Sequence, residues 1–214
     1  MVTEYNDPRC RPRSMLNLAG FLPRSAVNGP GIRAVVWVRG CPFHCEGCFN
    51  AQFQSSSPVT LVPVDNLAVL ICSLPGIHGV TFSGGEPFAQ AGPLAALGER
   101  LRSSGLSVVT YTGYTPGQIA DGDDPSWPAL LAVTDLLIAG PYIARLSTPD
   151  PLKGSSNQEV ISLGTGTSGL AGKPQPGEGG SRTEFSISPD GTITTTGFPA
   201  SSLIGGLASR TGEG

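Results

Sequence analysis

The sequence predicts an α/β fold around a largely parallel sheet, closed or partly closed. Three observations predict it. β-Branched apolar runs alternate with amphipathic stretches between residues 33 and 138, which implies parallel strands joined by right-handed helical crossovers. A length of 214 residues suits one ordinary domain with a sizeable core. The chemistry-bearing motifs fall directly after predicted strands, where ligands bind in α/β folds.

Residues 1–14 (MVTEYNDPRCRPRS) are polar and proline-broken, and read as a loose leader. Met15 to Leu22 is predicted as a short edge strand. Arg33 to Arg39, rich in Val and bounded by Gly31 and Gly40, is a buried strand. Val64 to Leu74 opens after Pro63 and ends before Pro75-Gly76, as a helix does. Residues 78–83 form the next strand. Ala89 to Ser104 is a helix with Leu94, Leu97 and Leu101 on one face and Gly105 at its C-cap. Leu106 to Tyr111 is a strand, Trp127 to Val133 a short helix, and Asp135 to Ile138 a strand.

After Leu163 the texture changes. Residues 164–182 are rich in Gly, Ser and Pro and bury too little apolar surface to order themselves. Residues 183–188 and 192–196 flank Pro189-Asp190-Gly191, a hairpin signature, and the last dozen residues fray. The chain therefore divides into the leader, a core domain at 15–163, a flexible segment at 164–182, and a hairpin with tail at 183–214. No internal repeat is present.

Composition excludes several function classes. With 13 basic against 16 acidic residues and net charge −3, there is no electrostatic footprint for nucleic acid. No apolar run reaches the ~18 residues of a membrane-spanning helix, and the N-terminus lacks the basic start and apolar core of a signal peptide. Five cysteines, three of them within eight positions, do not make a secreted disulfide framework. The expectation is a cytoplasmic, metal-binding protein.

Gly40-Cys41-Pro42-Phe43-His44-Cys45-Glu46-Gly47-Cys48 leaves the buried strand with CxxxCxxC spacing. Three thiolates in one loop wrap a single metal centre, and no second CxxC completes a four-cysteine zinc site. Iron–sulfur clusters usually take four cysteines, so three would leave one iron open to a small molecule. Two other readings stay open at this point: a Cys3His zinc knuckle using His44 or His78, and a redox pair of Cys45 and Cys48, which leaves Cys41 unexplained. Cys72 reads as a small buried hydrophobe in its helix, Cys10 as a leader thiol, and His44 as an exposed loop residue.

Thr81-Phe82-Ser83-Gly84-Gly85-Glu86-Pro87 ends the following strand. Its glycines offer backbone groups with no side chain in the way, and Glu86 adds a carboxylate able to hold an ammonium group. Alone this is a turn. With CxxxCxxC on the preceding strand, both motifs fall on one rim of the sheet.

These residues resemble the radical S-adenosylmethionine superfamily, and within it the anaerobic ribonucleotide reductase activating proteins. Four further stretches carry the narrower likeness: Asn28-Gly29-Pro30-Gly31-Ile32-Arg33, Cys45-Glu46-Gly47-Cys48-Phe49-Asn50, Tyr111-Thr112-Gly113-Tyr114-Thr115, and Lys153-Gly154-Ser155-Ser156-Asn157-Gln158. The likeness covers residues 15–163. Two departures stand out: Ala139 where the family often has Asp, and Lys153 where it usually has Arg, which alone forms a bidentate fork.

The resemblance implies a partial (β/α) barrel, open on one side, with the hairpin as a C-terminal extension. It implies that Cys41, Cys45 and Cys48 ligate three irons of a 4Fe–4S cluster whose fourth iron chelates S-adenosylmethionine. It further implies that Gly47 and Phe49 approach that cofactor and that Ser83, Gly84, Gly85 and Glu86 hold its methionine end. An electron from flavodoxin or ferredoxin would cleave the cofactor to a 5′-deoxyadenosyl radical, which takes a hydrogen atom from a glycine of the partner reductase. The enzyme would then be an oxidoreductase that activates a glycyl-radical protein, with no acid–base pair needed. The alternatives are a radical maturase acting on another peptide or small molecule, and a zinc-stabilised binding module in which SGGEP has no role.

Overall fold

The computed structural model describes residues 15–164, 183–187, 191 and 193–198. The expected leader with Cys10, most of the Gly/Ser/Pro-rich segment and the C-terminal tail lie outside the described residues. Seven strands make one sheet in the order β3-β1-β2-β4-β5-β6-β7. They are β1 (Met15–Ser25), β2 (Arg33–Val38), β3 (Leu61–Pro63), β4 (Gly79–Gly84), β5 (Ser107–Thr112), β6 (Leu136–Ala139) and β7 (Glu159–Ser162). β2, β4, β5 and β6 are mutually parallel, as the strand–helix alternation requires. β1 and β7 flank this parallel centre in antiparallel register. Among the described residues, no helix is long and apolar enough to cross a membrane.

The helices α1 (Val64–Cys72), α2 (Ala91–Ser103), α3 (Pro116–Ala120) and α4 (Trp127–Val133) follow from their apolar spacing. α1 starts where Pro63 sets an extended N-cap, and buries Val64, Leu67, Ala68 and Ile71 along one stripe. α2 buries Leu94, Leu97 and Leu101 as expected. These residues join Val36 and Val38 of β2, Val80 and Phe82 of β4, and Leu137 of β6 in the main core. A second, smaller cluster of Val109, Leu136 and Ile138, with Tyr111 and Leu152 packed on it, lies on the other face of the sheet. All six residues of β2 are buried, which explains its continuous apolar run.

Three differences from the sequence reading have physical causes. β1 is not an edge strand and runs on to Ser25, because β3 pairs with its first three residues. Leu61-Val62-Pro63 is too short to read as a strand. β7 was not expected either; Glu-Val-Ile-Ser carries no alternation and pairs only at the sheet edge. α3 was missed although Thr115 and Gln118 form a full capping box at its start. Beyond the sheet, β8 (Thr183–Ile187) and β9 (Ile193–Gly197) form the expected hairpin as a separate two-stranded sheet, with Gly191 at φ +83° in its turn.

Arg33 shows how the segment before β2 is held. Its guanidinium is fully buried, and all five donors are spent on neutral acceptors: Thr81 Oγ1, the Pro30 carbonyl, Ser107 Oγ, the Val80 carbonyl and the Ser107 carbonyl. Burial lowers its pKa to about 10. This lock fastens the NGPGIR stretch across the start of three parallel strands.

Candidate functional site

Parallel strands end at the same edge, so the exits of β2, β4, β5 and β6 surround one open cavity. Cys41, Cys45 and Cys48 line it from the loop after β2, Ser83 and Gly84 from the end of β4, and Gly85 and Glu86 from the turn that follows. The two predicted motifs therefore do share one rim. Backbone hydrogen bonds weld them: Gly85 N donates to the Val38 carbonyl and Glu86 N to the Gly40 carbonyl, both at 2.7 Å. Asn50 Nδ2 adds a contact to the Gly84 carbonyl at 3.5 Å.

The glycines are dictated by that weld. A Cβ on Gly84, whose φ is +106°, would stand 2.5 Å from the Val38 nitrogen, and one on Gly85 would stand 2.3 Å from the Gly40 oxygen. The cysteine loop closes on itself in the same way, with Gly40 N on the Phe53 carbonyl at 2.9 Å and Cys41 N on the Gln54 carbonyl at 3.0 Å. Gly47 forms the exposed turn between Cys45 and Cys48 at φ +69°, beside the cavity wall and not part of it. Phe49 does line the cavity, its ring against Tyr142 at 5.0 Å.

Glu86 has a different setting from the one expected. It is 1 % exposed, and its carboxylate accepts from Phe88 N (2.9 Å), Thr112 Oγ1 (2.8 Å) and Gly113 N (2.8 Å). It thus caps the Pro87–Gln90 turn and ties the β4 exit to the β5 exit. Burial pushes its pKa up to about 7 against the pull of these donors. Gln158, which the sequence reading quoted without a role, closes the far wall. Its Oε1 accepts from Gly154 N and Ser155 N, and its Nε2 donates to the Gly140 carbonyl.

All four described cysteines are free thiols. Burial pushes Cys41 up to about 11 and raises Cys45 as well, with Glu86 and the neighbouring cysteines adding to both rises. Three thiolates beside a carboxylate repel one another, and a cationic metal centre relieves that repulsion. Among the described residues, no three His, Cys, Asp or Glu side chains converge on a single-ion site. The zinc-knuckle alternative also lacks a histidine. His44 is exposed and hydrogen-bonded to Gln54, and His78 sits at the opposite edge of the sheet, where its Nδ1 accepts from Ile32 N. Three soft thiols lining one cavity suit an iron–sulfur cluster. Cys72 corrects the sequence reading: it is exposed at the end of α1, because the buried stripe there is carried by Leu67, Ala68 and Ile71.

Comparison with known proteins gives concordant results. The family model described as 4Fe–4S single cluster domain matches residues 27–161. The anaerobic ribonucleoside-triphosphate reductase-activating protein of Vibrio cholerae is 30 % identical over 154 residues, covering 68 % of this chain and 97 % of that protein. Proteins of the same description from Escherichia coli and Salmonella typhimurium are 27 % and 28 % identical. They cover 69 % and 67 % of this chain, and 99 % and 96 % of their own lengths.

Proposed function

The chain belongs to the 4Fe–4S single cluster domain family, and from that premise we propose that it is a radical S-adenosylmethionine enzyme that activates an anaerobic ribonucleotide reductase. The observation that carries the reading is the meeting of three free thiols and the Ser83–Glu86 turn in one cavity, in a chain that spans nearly the whole length of such activating proteins. Cys41, Cys45 and Cys48 would ligate a 4Fe–4S cluster. When bound, the cluster and S-adenosylmethionine supply one-electron cleavage of a carbon–sulfur bond and the hydrogen-atom abstraction that leaves a glycyl radical on the reductase.

The chain's own residues position and protect. Ser83, Gly84 and Gly85 would present backbone to the methionine end of the cofactor, and Glu86 would keep that backbone in place through its three donors. Phe49 and Tyr142 pack at a tilt beside the last thiol and would exclude water from that side. The backbone of Gly47, next to the same thiol, would approach the cofactor from the loop. Among the described residues β3 and β7 are the outer strands of the sheet, which supports a partial (β/α) barrel whose open side admits a protein substrate. Flavodoxin or ferredoxin would donate the electron, and the free thiols suit the reducing cytoplasm.

Anaerobic reconstitution with iron and sulfide, followed by reduction and electron paramagnetic resonance, tests this reading. A reduced 4Fe–4S signal that shifts on adding S-adenosylmethionine is the expected result. Uptake of zinc with no such signal would overturn it.

A further inference from the structure

The family match ends at residue 161, and the β8–β9 hairpin lies beyond it. The hairpin presents its two faces in an unusual sense. Glu184 and Thr196, cross-strand partners, face the body of the protein. The Glu184 carboxylate accepts from Ser25 Oγ at 2.6 Å and Ala26 N at 3.2 Å, and Thr196 Oγ1 exchanges hydrogen bonds with the Asn28 amide. Phe185, Ile187 and Ile193 face solvent instead, 45 %, 72 % and 61 % exposed. Polar contacts thus attach the hairpin to the segment before β2, and hydrophobic burial contributes little at that face.

Its apolar anchor is Phe198, immediately after β9. The Phe198 ring stands between two residues of the cavity wall, with centroids 5.8 Å from Phe49 and 6.3 Å from Tyr111. Phe49 directly follows Cys48, and Tyr111 comes from the end of β5. Gly154 closes the other side, where a Cβ would meet the Phe198 ring at 3.4 Å. Beside this wedge, the Tyr111 hydroxyl is buried and has no hydrogen-bond partner among the described residues. A buried unpaired hydroxyl is costly, and it marks a place where an incoming group supplies the missing acceptor.

We propose that Phe198 is the gate through which the protein substrate reaches the radical site, the hairpin being the arm that carries it. Seated, the ring seals the wall between Phe49 and Tyr111. Withdrawn, it leaves a slot one aromatic ring thick, which admits the bare backbone of a glycine-bearing segment and rejects larger side chains. The Tyr111 hydroxyl then donates to a backbone carbonyl of that segment. Withdrawal exchanges the hydrogen bonds of Glu184 and Thr196 for water and gives up the ring contacts of Phe198. The inference rests on the activase reading and adds to it how access is controlled in this chain.

The test uses full-length wild type, Phe198→Ala and Phe198→Tyr, in two measurements. In the first, without iron or cofactor, hydrogen exchange at the β9 amides of Phe198→Ala should quicken by roughly tenfold, with β4 unchanged. In the second, the reconstituted proteins are compared for 5′-deoxyadenosine formed per glycyl radical on the anaerobic ribonucleotide reductase of the same organism. Phe198→Ala should cleave S-adenosylmethionine several-fold faster with no reductase present and yield fewer radicals per cleavage, and Phe198→Tyr should behave as wild type. Unchanged β9 exchange in Phe198→Ala would overturn the gate, as would faster exchange with an unchanged ratio. A wild type that cleaves no cofactor at all would instead refute the activase reading, and the gate with it.

Discussion

Glu86→Gln separates the two forces acting on the carboxyl at the centre of the site. Burial disfavours its charge and raises its pKa from 4.5 to about 7, although three donors pull the other way. A shift of that size, at about 1.4 kcal/mol per unit, is worth on the order of 3 kcal/mol. The folded protein holds the proton more tightly than the unfolded chain. The contribution is therefore fully present below the unfolded pKa and is lost as pH rises through the folded one. Glutamine copies the shape of the neutral acid, but its amide nitrogen accepts no hydrogen bond. Whichever way the amide is turned, the N–H of Phe88 or of Gly113 loses its acceptor, at a cost of about 1–3 kcal/mol. Wild type should then be the more stable protein at pH 4 by about that amount. Its advantage should shrink by on the order of 3 kcal/mol toward pH 8, to parity or reversal. Urea unfolding of the iron-free proteins at both pH values, followed by circular dichroism, measures the gap. A gap that stays constant, or that widens with pH, would refute the reasoning, since it would mean that the three donors outweigh burial and the carboxylate stays ionised.

Two further predictions concern the thiols and the lock beneath the sheet. Cys41→Ala, Cys45→Ala and Cys48→Ala should each abolish uptake of iron and acid-labile sulfide near four per chain, while Cys72→Ala, on the exposed end of α1, should take up as much as wild type; metal analysis after anaerobic reconstitution reads this directly. Arg33→Lys should destabilise the fold by at least about 3 kcal/mol, because an ammonium has three donors for five buried acceptor contacts and cannot span them, and a urea midpoint indistinguishable from wild type would contradict the lock.

Residue patterns were legible where the physics is local. Alternation of β-branched runs with leucine stripes predicted the parallel centre, because each strand or helix needs only its own periodicity to declare which face it buries. CxxxCxxC and SGGEP were legible because each lies directly after a strand, and parallel strands deliver their ends to one edge. β3 and β7 escaped because three or four residues carry no periodicity; they are strands only through the partners that β1 and β6 provide. Cys72 was misjudged because one residue's place on a helix circumference depends on which stripe the rest of the core selects.

The sequence by itself determined the α/β class, the three thiols and the turn that faces them, since chain connectivity alone brings those groups to one rim. Tertiary structure alone decided what Glu86 does, which face of the hairpin turns inward, and that Phe198 lies between Phe49 and Tyr111. Each of these depends on contacts between segments far apart in the chain: Glu86 with Thr112, Asn28 with Thr196, and Phe49 with Phe198. No local pattern encodes such contacts, because their free energy exists only once the sheet has brought both partners together and the entropy of closing those long loops has been overcome.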